Sequence, residues 1–124
     1  MKHLFLSLAA TSLMWMACGE ATKSSSPAAA SDITQDPVYK EGLALVGKSD
    51  CATCHKIDEK VTGPSYREIA AKYANATDAE VSQIAQKIIK GGSGNWGEIP
   101  MTAHPNVSEA DAVAMVQYIR LLKK

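Results

Sequence analysis

The residues from Pro37 to Lys124 predict an all-α fold of about four helices. Three observations carry that prediction. Apolar side chains recur at helical spacing in four stretches, with no convincing strand pattern between them. Start and stop signals bracket those stretches. The chain is also short, at 124 residues of which 46% are hydrophobic. That is one small domain with a marginal core, so something besides its own side chains is needed between the helices.

The elements follow in order. Asp36-Pro37 is a good helix start, because Asp caps and Pro is tolerated at the first position. That helix runs to about Val46, with Leu43 and Val46 inward. Gly42 within it costs about 1 kcal/mol relative to alanine, and is expected either to mark a close approach by another helix or to be simply tolerated. Thr62-Gly63-Pro64 breaks the chain. A short helix then places Tyr66, Ile69, Ala70 and Tyr73 at helical spacing. Thr77 with Glu80 forms a capping box. The helix behind it carries Val81, Ile84, Ala85, Ile88 and Ile89 along one side and closes with Lys87 and Lys90 before Gly91. Ser108 with Asp111 is a weaker start signal. The last helix buries Ala112, Met115, Val116, Ile119 and Leu122, and Lys123 and Lys124 complement its dipole. Loops are expected around residues 51–55 and from Gly91 to Val107.

Cys51-Ala52-Thr53-Cys54-His55 supplies the missing core. Cys-x-x-Cys-His is the attachment sequence of a c-type haem. Two thiols two residues apart add to the vinyl groups on one porphyrin edge, and the histidine that follows lies under the ring within reach of the iron. A thioredoxin-like Cys-x-x-Cys would sit near a βαβ pattern, which is missing here. A structural zinc site wants four ligands, and only Cys18 and His104 remain to complete one. The expected cofactor is therefore one covalent haem c, with the haem-free chain largely unfolded.

His55 provides one axial bond. Iron in c-type proteins commonly takes methionine opposite histidine. Met1, Met14 and Met16 lie in the N-terminal apolar region, and Met115 lies within the stripe of the last helix, where methionine usually fills core. Met101 stands in a loop behind Ile99-Pro100 and is the expected ligand. His104 is its rival, read otherwise as an exposed loop histidine. An open sixth position would imply gas binding or peroxidase-like chemistry.

Leu4 to Ala17 is an apolar run behind Lys2 and His3, which reads as an export signal over residues 1–17. It is too short for a stable membrane span. Ala17-Cys18-Gly19 resembles the end of a bacterial lipoprotein signal, in which Cys18 would carry the lipid. Trp15 stands where that family usually has leucine, and simple cleavage near Ala28-Ala29-Ala30 is the alternative. Residues 18–36 have almost no large apolar side chains and are expected to form a flexible tether, spanning roughly 20–25 Å.

The 13 basic and 13 acidic side chains balance. A basic stripe that would mark a nucleic-acid partner is missing. Lys48, Lys56, Lys60, Lys72, Lys87 and Lys90 are scattered and read as solvated surface, with a subset near the haem edge as an alternative steering patch.

Three segments carry a family resemblance: Cys51 to His55, Gly63-Pro-Ser-Tyr66 with Ala70-Ala-Lys72, and Gly94-Asn-Trp-Gly-Glu-Ile-Pro-Met101. Their order and spacing make residues 37–124 resemble the small bacterial class I cytochromes c, the monohaem electron carriers of periplasmic respiration. The resemblance implies the cytochrome c fold wrapped round one haem. It implies that the Pro64 carbonyl accepts a hydrogen bond from His55, and that the Trp96 indole N–H donates to a haem propionate. Ile99 and Pro100 would line the methionine side, and Gly42 would meet an aromatic such as Tyr118. The chain departs from the family at Thr102-Ala103-His104, where short members often carry further prolines.

The expected function is single-electron transfer without catalysis. Expected partners are redox proteins such as a quinol–cytochrome c oxidoreductase, a terminal oxidase or a nitrite reductase, met at the periplasmic face of a bacterial membrane if the chain is a lipoprotein and otherwise in the soluble periplasm. The alternatives are a haem sensor or peroxidase-like enzyme with an open sixth site, and a fixed redox subunit of a larger complex.

Overall fold

The computed structural model describes residues 32–124. Four α-helices form in the expected order: α1 (Pro37–Lys48), α2 (Tyr66–Lys72), α3 (Asp78–Lys90) and α4 (Glu109–Leu121). Each start is chemically fixed. Asp36 accepts from the Val38 N–H at 2.8 Å, and Pro37 occupies the first turn. Thr77 and Glu80 form the capping box of α3, and the Ser108 side chain accepts from the Asp111 N–H. Ser65 and Glu68 make a second capping box for α2.

α4 packs against all three other helices and is the spine of the core. Ala112, Met115, Val116, Tyr118 and Ile119 on it, and Leu122 just past its end, are buried against Val46, Tyr66, Val81, Ala85 and Ile88. Burying the valine, leucine, isoleucine and methionine side chains among them stabilises by about 1.5–3 kcal/mol each, the alanines by less. α1 meets α4 at Gly42, where a β-carbon would overlap that of Tyr118 and lie 2.9 Å from the Ala114 carbonyl. Tyr39 completes the contact, edge-on to Tyr118 with centroids 5.1 Å apart.

Two arginines tie connections to the ends of helices. Arg120 Nη2 donates to the carbonyls of Ala74 and Ala76 at 3.3 and 3.2 Å, fixing the α2–α3 connection. Arg67 Nη1 donates to the Leu122 carbonyl at 2.8 Å while its Nε pairs with Asp58.

Four expectations are corrected. The stretch from Gly91 to Val107 is not all loop. Gly92–Gly94 (β1) and Gly97–Met101 (β2) pair antiparallel, with Gly92 opposite Met101 and Gly94 opposite Gly97. Leu43 does not point inward but is 44% exposed, because the buried line of α1 runs through Gly42 and Val46. The tether expected to reach Asp36 gives way earlier to a 3₁₀ turn at Ile33–Gln35, capped by Asp32 and touching α1. His104 is half-buried rather than exposed.

No helix among the described residues is long and apolar enough to cross a membrane. The export signal of residues 1–17, Cys18 and the tether up to residue 31 lie outside the described residues.

Candidate functional site

Cys51–Thr53 forms a 3₁₀ turn, and the Cys51 carbonyl accepts from the N–H groups of Cys54 (3.2 Å) and His55 (3.0 Å). Residues three and four apart on such a turn share a side, so both thiols and the imidazole line one cavity. Asp50 starts the turn at a left-handed φ of 53°, a conformation aspartate tolerates better than most residues. Both thiols are free. Burial pushes the Cys51 thiol up, with the charge of Asp50 and the neighbouring Cys54 adding to the effect.

The segment behind the motif folds back on itself. The Gly63 N–H donates to the Cys54 carbonyl at 2.9 Å, and the Tyr66 and Arg67 N–H groups donate to Lys56 and Ile57 at 2.8 and 3.1 Å. This brings the Pro64 carbonyl to 2.7 Å from His55 Nδ1. A carbonyl only accepts, so Nδ1 carries the proton and Nε2 keeps its lone pair for a metal. Gly63 makes the approach possible: a β-carbon there would overlap His55 Cε1 and lie 2.9 Å from Nδ1. The Tyr66 ring stacks beside the imidazole, centroids 5.7 Å apart at 15°. Its hydroxyl is buried without a partner among the described residues, and burial pushes its ionisation far above the ordinary range.

The cavity measures about 670 Å³, in the upper part of the range of cofactor pockets, about 300–1,000 Å³. Val46, Ile84, Ile88, Val116 and Ile119 contribute apolar wall, and residues 92–104 form a continuous side. Pro64, Trp96, Ile99, Pro100 and Met101 therefore border the same space as Cys51, Cys54 and His55. Met101 ends β2 and is half-buried, whereas Ile99 is 69% and Trp96 40% exposed. Met115 also borders the cavity, at 1% exposure within the core of α4.

Thr102-Ala103-His104, the stretch without prolines, is pinned by main-chain hydrogen bonds at its end, just before Pro105. The His104 N–H donates to the Ile88 and Ile89 carbonyls, both at 3.1 Å, and its own carbonyl accepts from the Val107 N–H at 3.0 Å. His104 borders the cavity too, with a buried Nδ1 that has no partner among the described residues.

Two kinds of residue escaped the sequence reading. Gly63 and Ser65 lay in a segment read as a chain break and as part of the family resemblance, with no role given to either residue, although Ser65-x-x-Glu68 is itself a capping-box signature. Lys72 and Lys87, read as solvated surface, contact the hairpin: Lys72 Nζ donates to the Asn95 carbonyl at 2.8 Å and Lys87 Nζ to the Ser93 carbonyl at 2.9 Å. No local signal marks those contacts.

The donor set suits haem c: two adjacent free thiols, an imidazole with its outer nitrogen already engaged, and thioether sulfurs on the same cavity. Among the described residues no group of three or more His, Cys, Asp or Glu side chains is arranged to hold a metal ion by itself.

Comparison with known proteins agrees. The cytochrome c family model matches residues 39–123. The chain is 48% identical over 79 residues to cytochrome c-552 of Nitrosomonas europaea, covering 64% of this chain and 76% of that protein. It is 45% identical over 78 residues to cytochrome c-551 of Azotobacter vinelandii, covering 63% and 93%. The crystal structure of wild-type Nitrosomonas europaea cytochrome c552 superposes with a TM-score of 0.61 at 47% identity, over 65% of this chain and 99% of that one. The attachment motif at Cys51, Cys54 and His55 takes one covalent haem c. The fold, the motif and the match over residues 39–123 lead to one conclusion: this chain belongs to the cytochrome c family.

Proposed function

We propose that this chain is an exported single-electron carrier whose haem iron is held between His55 and Met101. One observation carries the reading: the thioether at the end of β2 borders the same cavity as the two attachment thiols and the prepared imidazole. Bound haem supplies a one-electron ferric–ferrous couple. The residues do the rest. Pro64 fixes the His55 ring and strengthens its donation through the 2.7 Å hydrogen bond. Met101 raises the potential relative to a second histidine. Trp96 donates its indole N–H to a haem propionate, since that group can only donate and a carboxylate is a fitting acceptor. Ile99 and Pro100 keep water from the Met101 side.

With His55 and Met101 both engaged, bound haem would offer no place for a substrate, and the chain would act as a carrier rather than an enzyme. Its partners are redox proteins of the respiratory chain, of the class of quinol–cytochrome c oxidoreductases, terminal oxidases or nitrite reductases. Electron exchange takes place in the periplasm, with Cys18 as the lipid anchor and the segment behind it as tether, and residues 37–124 as the working domain.

Carbon monoxide tests the reading. The ferrous holoprotein at neutral pH is expected to resist it; ready binding would give the open-site sensor or peroxidase reading the lead. Mass spectrometry of the mature N-terminus tests the anchor, and an unmodified start downstream of Cys18 removes it.

A further inference from the structure

The hairpin that ends in Met101 has little to hold it in place by itself. Gly92, Gly94 and Gly97 all take positive φ, at 104°, 111° and 114°. Every residue from Gly92 to Pro100 is exposed, so the hairpin is not anchored by core burial. Glycines of this kind carry the largest conformational freedom of any residue, and a lone two-stranded hairpin is marginal in water.

Two lysines from two helices hold its outer end. Lys72, in the last turn of α2, donates to the Asn95 carbonyl at 2.8 Å. Its Nζ also lies 4.3 Å from the centroid of the Trp96 ring and 5.6 Å from that of Tyr73, within range of cation–π attraction. Trp96 meets Tyr73 edge-on at 6.5 Å. Lys87, in the last turn of α3, donates to the Ser93 carbonyl at 2.9 Å. The ion pairs among the described residues centre on Asp58, so these ammonium groups are directed to the hairpin main chain and not to carboxylates.

We propose that Lys72 and Lys87 are positioning residues that clasp the β1–β2 hairpin over the haem pocket and so keep Met101 on the iron. The inference rests on Met101 being the sixth ligand. The antiparallel ladder is the lever: it joins the clasped tip, at Gly94 and Gly97, to the pair Gly92 and Met101. Freeing the tip leaves the strand anchored only from the His104 side, and the weak thioether bond then yields more often to an outside ligand.

Imidazole is the probe. The ferric holoprotein is titrated while the far-red sulfur-to-iron band is followed, for the wild type, Lys72→Met, Lys87→Met, the double variant and Lys72→Arg. Each methionine variant is expected to take up imidazole about three- to tenfold more readily, the span of one net hydrogen bond, and the double variant more still. Lys72→Arg, which keeps donor, charge and ring stacking, stays within about twofold of wild type. Amide exchange across residues 94–99 should rise in the double variant while the α4 amides stay protected. A double variant that titrates and exchanges like wild type overturns the clasp. Absence of the band in the wild type overturns the Met101 assignment as well, so the two failures are told apart.

Discussion

His55 and Pro64 are joined by a 2.7 Å hydrogen bond from the imidazole Nδ1–H to the proline carbonyl, and Gly63 lies flat against the same ring. The proline places the acceptor, the glycine leaves room for it, and the free Nε2 is aimed by both. Gly63→Ala forces a methyl group into the ring position. The expected result is a displaced imidazole and a cost of about 1–3 kcal/mol from overpacking, read as lower haem incorporation during expression and a lower unfolding midpoint of the holoprotein. Wild-type incorporation and stability in this variant would refute the role given to Gly63.

The two glycines of α1 are expected to respond with opposite sign. Gly42 touches Tyr118 and the Ala114 carbonyl, whereas a β-carbon at Gly47 meets nothing within 4 Å. Gly42→Ala should destabilise by about 1–3 kcal/mol or more, since backbone and a packed tyrosine must move. Gly47→Ala should stabilise by about 0.5–1 kcal/mol, the ordinary helix-interior difference. Thermal unfolding of the two holoproteins checks both, and equal shifts would refute the close helix approach.

Acid should loosen α2 and α3 first. Hydrogen bonds from the Ser65 backbone and side chain hold the Glu68 carboxyl below its ordinary value of 4.5, and those from Thr77 do the same for Glu80. A depressed native pKa stabilises the fold above the unfolded value. That contribution is lost as the pH falls from about 4.5 through the native values. Glu68→Gln keeps a capping acceptor without the titration, so its stability should fall less steeply across that window. An acid limb identical to wild type, from denaturant midpoints taken at several pH values, would contradict this.

What was legible in the sequence was local. Asp36-Pro37, Thr77 with Glu80 and Ser108 with Asp111 set helix starts through contacts within three residues, and Cys51 to His55 carries its chemistry in five adjacent positions. Most of what was missed depends on pairing and packing that no local pattern announces, the Ser65–Glu68 capping box being the local exception. Leu43 has the right spacing to face inward, but the close contact of Gly42 with Tyr118 turns α1 so that Leu43 faces solvent. The hairpin from Gly92 to Met101 lacks alternation and is rich in glycine, so only its pairing reveals it. His104 is half-buried because its N–H reaches the last carbonyls of α3. Lys72 looks like any surface lysine until Asn95 and Trp96 arrive beside it.

A cavity of about 670 Å³ among four short helices leaves little core to hold the chain without its haem. Helices of this length owe most of their stability to tertiary packing. A Cys51→Ala/Cys54→Ala double variant free of haem should therefore show less than roughly half of the holoprotein's helical circular dichroism. A near-native spectrum would contradict the view that haem completes the core.

The central claim is the ligation of the iron by His55 and Met101, and the visible spectrum of the haem-loaded protein tests it most directly, oxidised and reduced, for wild type and Met101→Ala. The account predicts a weak far-red sulfur-to-iron band in the oxidised wild type that disappears in the variant. A wild type without the band, or a variant identical to wild type, would contradict it and turn attention to His104, Met115 or an open sixth position.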